Sequence, residues 1–284
     1  MLAFARRNLL VYFRDKAALF FSLLAVFILI ALYVFFLGDL MAEGLPDFPA
    51  KSWLLTSWIL AGILAVTSVT TTLGAFGVMV EDRSTHTYLD FYASPIKRSS
   101  LFAGYVMSSI FIGFLMCLVV LFTANVFLFF SGGELLAFTQ LLKIIGVSLL
   151  SVLASGSMIL LLVSFFTTSN AFAAASTVIG TLLGFLAGIY IPIGNLPAYL
   201  QTIIKFFPTS HSAALFRQLL MDRPLQEAFS NAPIAVIEDF QLNMGVFFEI
   251  NGSSSSLLFS VLYLLGTAFV FSFLFLTVMR WKRT

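Results

Sequence analysis

Charge is scarce in this chain. Only 10% of its 284 residues are Asp, Glu, Lys or Arg, against about 25% in a soluble domain, so a water-soluble globular domain is excluded. Cysteine is almost absent. Cys117 stands alone inside an apolar run, forms no intrachain disulfide and reads as a buried thiol. The two histidines, His86 and His211, are far apart, and no HExxH or related spacing is present. They read as surface groups in loops, and no metal site is expected. There is no GxxxxGK[ST] loop, so the chain binds no nucleotide in the Walker manner. A cleavable signal peptide is not expected, because the first apolar run, Ala17 to Leu37, exceeds the usual core of about 7–15 residues and no A-x-A-like site follows it.

What the chain has is apolar length. It is 60% hydrophobic, with a mean hydropathy of +1.04. Runs of 20 or so apolar residues recur, each enough to cross a hydrocarbon core of about 30 Å at about 1.5 Å per residue. The expected fold is all-α: a polytopic membrane protein with six spans at about 17–37, 53–80, 101–130, 141–166, 171–191 and 257–279. Before them, residues 1–16 place Leu2, Ala5, Leu9 and Phe13 at helical spacing with Arg6, Arg7 and Arg14 off that stripe, the pattern of an amphipathic helix lying in the membrane interface. No ionisable side chain falls in the central part of any span. Ion-coupled transporters and proton relays usually carry such groups there, and a membrane-embedded hydrolase needs a nucleophile with a base or metal.

Six spans put both termini on one side. The N-terminal segment carries four Lys/Arg, the 81–100 segment three and the tail three, Arg280, Lys282 and Arg283. The positive-inside rule then places both termini and the 81–100 segment in the cytosol, with the chain in the cell membrane as a multi-pass protein.

Residues 81–100, EDRSTHTYLDFYASPIKRSS, form a charged island between spans 2 and 3. It is long enough for a short helix on the membrane surface. Span 2 carries Thr67, Ser68, Thr70, Thr71 and Thr72, whose hydroxyls either satisfy the carbonyl four residues back or line a polar pathway. In span 5, Ser176, Gly180, Gly184 and Gly188 recur every fourth residue, a small-residue face for close helix approach within one subunit, against a second copy or beside the pathway. The 193–256 segment exceeds a simple connection. Ala198–Phe207 and Ser212–Met221 read as short helices, the second capped by Thr209, Ser210 or His211, forming either a re-entrant hairpin or a surface-lying outer domain.

An amphipathic N-terminal helix, six spans, a charged island after span 2 and a broken helical segment before span 6 together resemble the permease subunit of type-2 ATP-binding-cassette exporters. The island resembles that family's motif at Asp82-Arg83, Thr87, Leu89, Ser94-Pro95 and Lys97-Arg98, with His86 where a glycine is usual and Ser84 where an acid often stands. Phe207-Pro208-Thr209 followed by a helix through Arg217 is similar to its motif before the last span. The resemblance implies a partner set: a separate ATPase subunit that binds ATP and Mg, and a second permease subunit, identical or related. The surrounding bilayer completes the setting, with no nucleic acid. It implies that Asp82, Arg83, Thr87, Leu89, Asp90, Ser94, Pro95, Lys97 and Arg98 belong to a coupling helix seated on the ATPase. Lys97 and Arg98 suit anionic lipid headgroups as well. This chain itself needs no cofactor and is no enzyme on this reading. The cargo expected is amphipathic or hydrophobic: a drug, an antimicrobial peptide or a lipid. A non-transporting scaffold or immunity protein has the same spans and is the alternative, ahead of a membrane-embedded enzyme.

Overall fold

The computed structural model describes residues 1–43, 47–230, 232–250 and 253–281. Pro46 of the first outer loop and Lys282, Arg283 and Thr284 of the tail lie outside them. The elements in order are α1 (Leu2–Arg14), α2 (Lys16–Leu32), a π-helical turn (Tyr33–Leu37), α3 (Gly38–Glu43), α4 (Lys51–Ser84), α5 (Tyr88–Ala93), α6 (Arg98–Phe130), α7 (Phe138–Val163) and α8 (Ser169–Leu186). A 3-10 turn (Ile193–Asn195) leads to α9 (Ala198–Lys205), α10 (Pro208–Leu220), α11 (Asp222–Ala228) and α12 (Ile234–Asn243). A two-residue antiparallel hairpin, Glu249–Ile250 with Ser253–Ser254, precedes α13 (Leu257–Trp281). Six of these helical stretches are long and apolar enough to cross a membrane, so the protein is an all-α polytopic membrane protein.

Helix α4 is the axis of the bundle. It packs against α2, α6, α7, α8 and α10, and 83% of its most apolar window is buried, against 11% for α8 and for α13. A membrane has no water for spare polar groups, and the hydroxyls in the middle of α4 find partners on its own backbone, whereas Ser57 nearer its start has none among the described residues. Thr67 donates to the Ile63 carbonyl at 2.7 Å, Thr71 to Thr67 at 2.6 Å and Thr72 to Ser68 at 2.6 Å. Small residues on the neighbours let them close in. A Cβ placed on Gly113 of α6 would stand 2.4 Å from the Thr72 hydroxyl and 3.2 Å from Val152.

The ends of the bundle differ. Arg7 of α1 reaches Asp82 at the end of α4, and Phe275 of α13 meets Phe102 near the start of α6, so both terminal helices approach the island. The opposite end is roofed by α9 to α12.

The structure defines the packed face of α1 and corrects two expectations. In α1 the face turned to the protein is Phe4, Ala5, Asn8 and Tyr12, with Leu9 partly buried beside it and Leu2 and Phe13 exposed; side-chain bonds to α4 and α6 select the packed face, and the apolar stripe is split between the protein and the outside. The helix expected at Ser212 begins four residues earlier, with Phe207 as N-cap and Pro208 in the first turn, because proline's fixed φ suits that position and its missing N–H is not needed there. Span 5 ends as a helix at Leu186. Gly188 then adopts φ +63°, the left-handed region that favours glycine, so it sits beyond the helix and not on the face of Ser176, Gly180 and Gly184.

Gly113→Ala is expected to lower stability by about 1–3 kcal/mol through overpacking against Thr72. Gly146→Ala, where nothing lies within 4 Å of the added carbon, should be neutral or stabilising. Thermal unfolding of the two variants in detergent checks the contrast.

Candidate functional site

The island begins inside α4. Asp82, 4% exposed, receives two hydrogen bonds from the Arg7 guanidinium, at 2.5 and 2.8 Å, and one from the Tyr105 hydroxyl at 2.6 Å. A buried carboxylate is costly unless paired, and this fork with a phenol beside it uses both its oxygens. The carboxylate holds the Arg7 guanidinium above its already high ordinary pKa. Around the pair, Asn8 donates to the Ser108 hydroxyl at 3.4 Å, and the Phe4 ring meets Tyr105 and Phe91 edge-on, each at 4.9 Å. Helix α1 is thereby fastened to α4, α5 and α6 at one point.

Arg83 turns the other way. It donates to the carbonyls of Val163 and Phe166 at 3.0 and 3.2 Å, where a cation meets the negative end of α7. Ser84 meets the Ser169 hydroxyl at 2.7 Å, so the turn between α7 and α8 is held to the end of α4 as well. The chain leaves α4 through His86, whose φ of +60° explains in backbone terms why a glycine suits this place; histidine is among the residues that tolerate it better than most.

Beyond that turn the island faces outward. Helix α5 has no buried residue. Leu89 is 51% exposed, and Tyr92 and Ile96 are exposed too. Asp90, Pro95, Lys97 and Arg98 are exposed, while Thr87 and Ser94 are half-buried. Ser94 donates to Phe91 at 2.6 Å. It takes an extended conformation, as residues before proline do, and ends the helix. The Arg98 guanidinium lies 4.7 Å from the centre of the Tyr92 ring. The nine residues expected to act together thus divide: Asp82 and Arg83 bind the bundle, Thr87 and Ser94 shape the turn and helix, and the other five face away.

The remaining candidates lie deeper. Thr67, Ser68, Thr71 and Thr72 are fully buried within the bundle, and Ser68 adds a contact to Ser155 of α7 at 3.3 Å. In this conformation they serve helix packing. In α8, Ser176 has a buried hydroxyl without a hydrogen-bond partner among the described residues. Gly180 borders open space, and a Cβ on Gly184 would strike the Tyr190 ring of the same chain at 2.2 Å.

A second centre, at the opposite end, was not read as a site from the sequence. Arg217 of α10 is 3% exposed, and among the described residues no carboxylate lies within ion-pair distance of it. It donates to the carbonyls of Ala187 and Gly188 at 2.7 and 3.0 Å and of Gly245 at 3.3 Å. These are the C-terminal ends of α8 and α12, so two helix dipoles supply the negative charge. Its guanidinium carbon lies 4.9 Å from the centre of the Trp58 ring, whose N–H donates to Met244 at 2.8 Å. Gly188 and Gly245, both at positive φ, leave room for it; a Cβ on Gly245 would come within 3.0 Å of the guanidinium. His211, expected at the surface, is fully buried. Its Nε2 faces the Lys205 carbonyl at 2.9 Å and therefore carries the proton, while Nδ1 accepts from the Ser260 hydroxyl at 3.2 Å. The ring stacks on Tyr263 at 4.0 Å. A loop-like flank hid it; the available signal was the apolar run Ala213 to Phe216 directly after it.

The sequence model of the ABC-2 type transporter membrane domain matches residues 1–221, from α1 to the residue after α10. The chain belongs to the ABC-2 type transporter family. It is a membrane-embedded transporter subunit, a transport permease and not a catalytic domain. Permeases of this family generally work with an ATP-binding subunit. The match takes in α1, the island and the Arg217 helix, and leaves α11, α12 and α13 beyond its end. No curated protein matches the chain.

Asp82→Ala is expected to destabilise the protein by about 3 kcal/mol, the lower end for breaking a buried pair, because Arg7 keeps 32% of its side-chain surface in solvent. Adding Arg7→Met should recover part of that loss by removing the stranded cation. Melting temperatures of the single and double variants in detergent test both statements.

Proposed function

We propose that the chain is the transmembrane subunit of an ATP-driven exporter. It moves an amphipathic or hydrophobic cargo, such as a drug, an antimicrobial peptide or a lipid, out of the cytosol or the inner leaflet. It works as one of two permease subunits, identical or closely related, in the cell membrane, with both termini and α5 in the cytosol. A separate ATPase of the ATP-binding-cassette type binds ATP and Mg beneath them and supplies the energy.

The placement of α5 carries the reading. An exposed six-residue helix offers an apolar ridge at Leu89 and Tyr92 flanked by Asp90, Lys97 and Arg98, a surface fit for a protein cleft with charged rims. It joins α4 through the single turn at His86. A push on α5 therefore reaches the end of α4, and through Asp82 and Arg7 it reaches α1. Helix α4 then spans about 51 Å, by its 34 residues and the usual helical rise, and arrives beside Arg217 at the far end. The exposed faces of α8 and α13 favour a second permease subunit and lipid as their neighbours.

The tagged full chain, purified from its native membrane, is expected to bring such an ATPase with it in near-equal amount. Asp90→Lys combined with Lys97→Glu should reduce that recovery roughly tenfold or more, about 1.4 kcal/mol of binding, without changing membrane insertion. Unchanged recovery with both reversals removes α5 from the docking surface. A chain that comes down alone, or only with partners that bind no ATP, overturns the exporter reading.

A further inference from the structure

A cavity of about 580 Å³ opens at the end of the bundle opposite the island, between α4, the segment after α8 and the α11–α12 pair. That volume lies within the usual range for small-molecule sites, about 300–1,000 Å³. One side is aromatic. Phe48 meets Phe229 at 5.6 Å and Phe229 meets Phe240 at 4.9 Å, forming a continuous row of rings, and Tyr190 adds a fourth ring to the lining. Asp239, an exposed residue, is the only charged residue among those that line it, and Asn195 and Asn243 are the amides of the lining. Among the described residues no Lys, Arg or His lies within ion-pair distance of Asp239, and the lining contains none of them.

This lining selects by charge. The faces of aromatic rings attract a cation, the carboxylate attracts it further, and an anion of the same shape meets only repulsion and desolvation. We infer that this cavity is a binding site for a lipophilic monocation, a bulky aromatic or aliphatic body carrying one positive charge, with the body against Phe229 and Phe240 and the charge directed to Asp239. Nothing in this depends on an ATPase or on transport. A chain that binds the cation and moves nothing leaves the inference intact, and an exporter of other cargo leaves it open to refutation on its own terms.

Tetraphenylphosphonium and tetraphenylborate share a shape and differ in the sign of their charge. With the purified full chain in detergent, equilibrium dialysis corrected for empty micelles should show saturable binding of tetraphenylphosphonium and none of comparable strength for tetraphenylborate. Asp239→Asn should weaken the cation roughly three- to fivefold, the contribution of an exposed ion pair. Phe240→Ala should weaken it by several-fold. Glu238→Gln removes a charge one residue away that does not line the cavity and should leave the affinity within about twofold. Equal binding of the two ions, an unchanged affinity in Asp239→Asn, an equal loss in Glu238→Gln, or no saturable binding above the micelle background would each overturn the assignment.

Discussion

Polar atoms inside an apolar bundle must find partners within the protein, and helix α4 shows that constraint at its strictest. Almost every face of it is covered by another helix, so the hydroxyls of its middle, Thr67, Thr71 and Thr72, turn back onto its own carbonyls. Every other part of the structure takes its place relative to this buried helix. Gly113 of α6 and Gly156 of α7 close onto its Thr72, α10 and α11 pack against it at the far end, and its last turn carries the carboxylate that fixes α1.

Half-buried Arg7 and buried Arg217 answer one problem in two ways. Arg7 meets a carboxylate. Arg217 meets none among the described residues and is neutralised by the carbonyl ends of two helices. Arg83 combines the two solutions in milder form, half-buried at the end of α7. Guanidinium groups suit all three places, since a planar fork of donors serves several acceptors at once. The result is a bundle clamped at both ends by directional bonds and held in the middle by shape.

The fold was legible because membrane crossing imposes length. The six apolar runs, the island between the second and third, and the short helices before the last could all be read by counting residues. Finer placement depended on tertiary contacts that periodicity does not encode. The stripe of Leu2, Ala5, Leu9 and Phe13 did not say which face of α1 meets the bundle; Phe4, Ala5, Asn8 and Tyr12 do, and Ser108 and Ser22 offer Asn8 and Tyr12 hydrogen bonds. Asp82 looked like one more surface charge of the island, and only the approach of Arg7, 75 residues away, turns it inward. Arg217 and His211 were hidden for a similar reason: their partners are backbone carbonyls and a serine from distant segments. Leu89, Asp90, Lys97 and Arg98 were easier, since outward-facing residues need no knowledge of what lies behind them.

The hydroxyl-rich middle of α4 also sets how the helix behaves as a mechanical element. It contains no proline over its length from Lys51 to Ser84, which makes most of it a stiff rod. At Ile63, Ala65, Thr67 and Ser68, however, a carbonyl accepts a side-chain hydroxyl in addition to its place in the helical ladder. A shared acceptor holds each donor less tightly, and such back-bonding favours bending. The compliance of the rod is therefore concentrated near its midpoint. Any tilt between the two halves of the rod has its natural pivot there, among the helices that enclose it.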